Sequence, residues 1–133
     1  MVVHSDKFMD VVLDKENNII EHFWKETSTD LSDNTFKDQL NKFRELIVQY
    51  KPKGVTVDTT KFLFPLTPEI QQWVGETFFP PIIAVGVKKY ALQVSPDIFA
   101  QVSVESVIEE ESKDQFITKY FDNLESAKQW VIK

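Results

Sequence analysis

The spacing of hydrophobic residues changes several times along this chain, and each change marks an element. Phe8 to Leu13 alternates and is rich in β-forming residues; Ile19 to Trp24 is a second such run. Asp14-Lys15-Glu16-Asn17-Asn18 lies between them and is a turn-forming cluster, so the pair predicts an antiparallel hairpin. The second run has two candidate inward faces: Ile20, His22 and Trp24, or Ile19 and Phe23. From Phe36 the period becomes helical. Phe36, Leu40, Phe43, Ile47 and Tyr50 recur at spacings of three and four, while Lys37, Asp38, Asn41, Lys42 and Glu45 cover the other side. Ser32 or Asp33 caps this helix at its start. Pro52 and Gly54 stop it.

Gly54 to Thr59 is short and β-branched, which suits a central parallel strand. Asp58 stands at its C-terminal end, where open α/β sheets usually bind ligands. Lys61 to Leu66 follows, an aromatic segment in which Phe62 and Phe64 share one side and Leu63 takes the other. Thr67-Pro68-Glu69 is a helix start. The hydroxyl caps, proline at the first helical position sacrifices no hydrogen bond, and the carboxylate favours the positive end of the dipole. That helix is expected to run through Ile70, Trp73, Val74 and Thr77 and to end at Pro80-Pro81. Ile82 to Val85 adds one turn, closed by Gly86.

Lys89 to Val94 reads as another strand. Ser95-Pro96-Asp97 starts a further helical region with Ile98, Phe99 and Val102 buried, and Glu109-Glu110-Glu111 is a solvated acidic run. Phe116 to Phe121 is the last strand. Asp122 with Glu125 resembles a capping box for a final helix packed through Leu124, Ala127, Trp130 and Val131. The expected architecture is α/β: an N-terminal antiparallel hairpin leading into a mostly parallel mixed sheet of about five strands with about four helices.

The chain of 133 residues is the size of one domain, so residues 1–133 are read as a single unit. It has no cysteine, which excludes disulfides, thiolate metal sites and cysteine nucleophiles. The net charge of −6 argues against nucleic acid and against docking on an anionic membrane. No segment approaches the ~20 apolar residues of a membrane-spanning helix, and MVVHSDKFMD lacks a signal-peptide core. A cytoplasmic location is the expectation. The eleven phenylalanines predict an aromatic core, with an apolar ligand pocket as the sharper alternative.

Catalytic patterns are missing. The three glycines are scattered and build no phosphate-binding loop or nucleophile elbow. The two histidines, His4 and His22, have no metal-ligand spacing, and His22 on its strand is a candidate to pair with a carboxylate. No catalytic residue, cofactor site or metal site is assigned, and the chain is read as a non-enzyme.

Three stretches carry a family resemblance: Ile19 to Lys25; Val57-Asp58-Thr59 followed by Thr67 to Trp73; and Tyr120 to Trp130. Together they resemble small bacterial STAS-like (anti-sigma-factor-antagonist-like) proteins, with a more distant likeness to CRAL-TRIO-type lipid-binding domains. The resemblance implies a STAS-like fold and a regulatory or protein-interaction role, with apolar-ligand binding as the alternative. It also implies that Thr67 occupies the family's phospho-switch position. The acidic residue and the glycine that usually flank that hydroxyl are replaced here by Leu66 and Pro68. The expected interaction surface is Asp58, Phe62, Phe64 and Thr67, facing a protein partner, a second copy of the chain in a homodimer, or an apolar ligand.

Overall fold

The computed structural model describes residues 1–95 and 116–133. The expected helix from Ser95-Pro96-Asp97, with Ile98, Phe99 and Val102, and the acidic run Glu109 to Glu111 lie outside the described residues, apart from Ser95 itself.

The architecture is α/β, as the hydrophobic pattern predicts. Among the described residues six strands form one sheet in sequence order: β1 (Val2–Ser5), β2 (Met9–Asp14), β3 (Ile19–Trp24), β4 (Gly54–Asp58), β5 (Lys89–Gln93) and β6 (Ile117–Phe121). The first three pair antiparallel, and β3 to β6 pair parallel. The sixth strand is β1, which precedes the first run that the hydrophobic pattern marks as a strand. It is short and carries a bulge between Val2 and His4. Backbone bonds hold it, including Leu13 N–H to Met1 O at 2.8 Å. Such pairing leaves no alternation to read in four residues.

Strands that advance in one direction through right-handed crossovers send their connecting helices to one face. α1 (Asp33–Tyr50), α2 (Pro68–Trp73) and α3 (Phe79–Ala84) accordingly share a core with Ile20, Val55, Val57 and Tyr90. α4 (Leu124–Ile132) covers the opposite face, packing Ala127 and Val131 on Ile19 and Ala91. This settles β3. Ile20, His22 and Trp24 face the large core, and Ile19 is buried beneath α4.

Local chemistry explains the helix ends. The Ser32 hydroxyl accepts from Thr35 N–H, and the Thr35 hydroxyl accepts from Ser32 N–H, a reciprocal capping box. α4 is capped by Asn123, which accepts from Ser126 N–H at 2.8 Å, and not by Asp122. Both residue types can cap; the extended backbone at Asn123 decides between them. At the other end of α4, Lys53 and Lys89 donate to the carbonyls of Ile132 and Trp130. Two lysines from strand starts thus satisfy orphan groups the helix cannot satisfy itself.

The helix after β4 does not stop at Pro80-Pro81. It widens into a π-helical segment, Val74–Phe78, and continues as α3. Phe79 N–H donates to Val74 O, five residues back. Proline removes a donor and clashes with the carbonyl four residues earlier. For Pro81 that carbonyl belongs to Thr77, and the Arg44 guanidinium on α1 donates to it at 3.3 Å. A wider turn and an outside donor let the chain pass both prolines.

α4 packs tightly on the sheet at Gly54. A Cβ there would lie 2.1 Å from Val131 Cγ1. Gly54→Ala is therefore expected to destabilise by about 1–3 kcal/mol through overpacking. Urea unfolding checks it: the penalty should largely vanish in a Val131→Ala background, and an undiminished penalty would locate the strain elsewhere.

Candidate functional site

β3 and β4 end side by side, with Trp24 and Asp58 near their C-terminal ends. Between this sheet end and helices α1 and α2 lies a cavity of about 440 Å³. Its walls follow from elements already described. β3 contributes His22 and Trp24, β4 contributes Val57, and β5 contributes Tyr90 and Leu92. Phe36 and Leu40 come from the buried stripe of α1, and Val74 and Phe78 from the π-helical segment.

The aromatic segment after β4 closes one side. Ser28, fully buried in the 3-10 turn Glu26–Asp30, accepts from Leu63 N–H at 2.8 Å and so fixes this segment against the β3 end. Phe62 then packs 4.8 Å from Trp24, and Phe64 stacks 5.1 Å from Phe36. The expected alternation is present. Phe62 and Phe64 face inward, whereas Leu63 and Leu66 are 57% and 42% exposed.

The four residues of the expected interaction surface are thus not one surface. Phe64 is buried core, and Phe62 is half-buried and lines the cavity. Thr67 is exposed and caps α2, accepting from Ile70 N–H at 3.3 Å. The Asp58 carboxylate accepts from the Thr60 N–H and hydroxyl. It lines a separate cleft of about 390 Å³ with Asp10, Lys25 and Lys61. In that cleft the Ser5 hydroxyl and the Lys25 ammonium hold Asp10 below the usual carboxylate range, so it is an ion and not a proton donor near neutral pH.

His22 is the residue whose importance the sequence did not reveal. Among the described residues it pairs with no carboxylate. Its Nε2 lies 3.1 Å from Met9 Sδ, and its ring lies 4.1 Å from Phe43 and 4.8 Å from Trp24. It is 1% exposed, and burial pushes its pKa down to about 3. The imidazole is neutral at physiological pH. Its Nδ1 has no hydrogen-bond partner among the described residues. The signal available in the sequence was one histidine inside the alternation Ile20-His22-Trp24.

Chemically the cavity is mostly apolar, with Thr59, Gln71, Tyr90, Tyr120 and the neutral His22 as its polar lining. None of its described lining residues is Asp, Glu, Lys or Arg. Tyr90 is buried, and burial raises its pKa, so it stays a neutral phenol. Exposed Leu66 and Gln71 mark the mouth; buried His22, Val57, Phe78 and Tyr90 mark the depth. Among the described residues no group of three or more His, Asp or Glu is placed to hold a metal ion. No described helix is long and apolar enough to cross a membrane.

Comparison with known proteins found no matching family model, no matching curated protein and no matching solved structure.

Proposed function

We propose that the protein is a binding domain for a small, uncharged, apolar ligand held in the cavity between β3, α1 and the π-helical segment. The observation that carries this is the cavity itself: about 440 Å³, lined mostly by aromatic and aliphatic side chains, with His22, Thr59, Gln71 and the hydroxyls of Tyr90 and Tyr120 among them and no formally charged residue among those described. Ligand pockets typically span about 300–1,000 Å³ and have this mostly apolar lining. A domain selected only for stability would gain from filling such a space, because each missing packing contact costs dispersion energy.

The neutral dye N-phenyl-1-naphthylamine tests the proposal. Its fluorescence should rise and saturate with the wild-type protein. Val74→Trp, which places an indole in the cavity, should weaken binding at least about tenfold, roughly 1.4 kcal/mol. Equal binding by the two proteins would place the dye elsewhere and remove the support for a cavity ligand.

The STAS-like resemblance belongs to this proposal too. A sheet that starts antiparallel and continues parallel, with Thr67 capping the helix after β4, supports it. Exposed Leu63 and Leu66 beside the cavity mouth support a second reading, in which a protein partner seats there. Leu63→Asp should then remove a co-purifying protein from its native extract; an unchanged set of proteins would sink that reading.

A further inference from the structure

The mouth of the cavity is carried by a segment that the rest of the fold holds only lightly. Of the described lining residues only Leu66 and Gln71 are exposed, and both lie within residues 65–73. The deep lining residues His22, Val57, Phe78 and Tyr90 are all buried, so a ligand reaches them past this segment. Its two ends are anchored. On one side Leu63 N–H donates to Ser28 and buried Phe64 stacks on Phe36. On the other, buried Phe78 stacks on Phe43.

Between these anchors Pro65 to Glu69 are all exposed, and Ile70 is the one buried side chain before Phe78. The hydrogen bonds shown by residues 65–73 stay local. Ile70 N–H and Gln71 N–H reach back to the Thr67 hydroxyl and carbonyl, Gln71 Nε2 donates to Leu66 O, and Gln72 Nε2 donates to Glu76. Among the described residues the segment is held down through Ile70, 2% exposed in the core, and through half-buried Trp73, whose ring lies 5.6 Å from Lys37 Nζ on α1. The π-helical turn that follows is not braced by packing at Gly75, where a Cβ would meet nothing within 4 Å. An element with one buried side chain and self-contained hydrogen bonds opens at far less cost than the whole fold, and a π turn is a common site of local rearrangement.

We infer that residues 65–73 form a lid over the cavity, latched by Ile70 and hinged at the π-helical turn, which swings out to admit the ligand and closes on it. This rests on the reading of the cavity as a ligand site. The closed lid brings Leu66, Gln71 and Val74 into the lining. A bound apolar molecule touches them only in that state, so binding draws the population towards the closed form.

The chain has no cysteine, so two introduced thiols can be bridged without side reactions. In Lys37→Cys/Trp73→Cys, 1,4-butanediyl bismethanethiosulfonate ties the lid to α1 across the place of the Lys37–Trp73 contact. Stopped-flow fluorescence then follows N-phenyl-1-naphthylamine. The bridge should slow both association and dissociation of the dye at least about tenfold, and reduction should restore both rates. Equal rates in the bridged and reduced forms overturn the lid and leave the cavity reading standing. Failure of the wild type to bind the dye overturns the cavity reading and the lid together. Amide hydrogen exchange on the wild type decides the matter if the reduced variant binds no dye. Gln71 N–H should exchange at least about a hundredfold faster than Ile47 N–H in the middle of the core-facing stripe of α1, and saturating dye should slow it. Exchange at Gln71 as slow as at Ile47, or unchanged by saturating dye, overturns the inference.

Discussion

Phe43→Ala is expected to lower the unfolding free energy by about 3–5 kcal/mol. The side chain is fully buried. Its ring lies 4.1 Å from His22 on β3 and stacks 5.9 Å from Phe78 on the π-helical segment. It therefore joins three elements: the sheet, α1 and the helix that passes the two prolines. Truncation removes apolar burial and opens a void beside a cavity that already exists, so the surrounding side chains have little to collapse onto. Val48→Ala on the same helix, at a 38% exposed position, should cost under about 1 kcal/mol. Urea unfolding of both variants makes the comparison. Similar small losses would show that α1 is not anchored through Phe43.

The second large effect is in pH. His22 has a folded-state pKa of about 3, against 6.5 for an unburied histidine. The unfolded chain therefore takes up a proton as pH falls below 6.5, while the folded protein does not until near pH 3. Folding opposes that protonation, so this group is silent above pH 6.5 and subtracts stability as pH falls. The slope approaches about 1.4 kcal/mol per pH unit, and the total between pH 6.5 and 3 is on the order of 3–5 kcal/mol. Desolvation is the main cause; Asp6 opposes it slightly and His4 adds to it. Asp6, Asp10 and Asp14 have lowered pKa values of their own, so their contribution is also lost on acidification, at lower pH. His22→Leu separates the two sources. The wild type should lose stability from pH 6.5 downward, and the variant only once the carboxylates begin to protonate. Parallel curves for the two proteins between pH 6.5 and 4.5 would show that His22 is not buried as a neutral ring.

Much of this frame is legible in the sequence because local and tertiary preferences agree. The α1 stripe, the Ser32 start, the β-branched run of β4 and the Thr67-Pro68 start of α2 all form where the pattern places them. The π-helical passage through Pro80-Pro81 was not legible, since the group that relieves the Thr77 carbonyl is Arg44, 33 residues away. The site divides in the same way. Alternation puts Phe62 and Phe64 together, but only Ser28, reaching the segment from the 3-10 turn, decides that they face inward. His22 was recognised as a strand residue and assigned the wrong partner, because Met9 meets it across the β2–β3 pairing rather than along the chain.

The central claim is that a neutral apolar ligand occupies the cavity, and ligand-to-methyl nuclear Overhauser effects test it most directly. With 4-propylphenol bound to protein carrying labelled methyl groups, cross-peaks to Leu40, Val57 and Val74 are the predicted result. Saturable binding with cross-peaks only to exposed methyls such as Leu63 and Ile83, or no saturable binding, would contradict it.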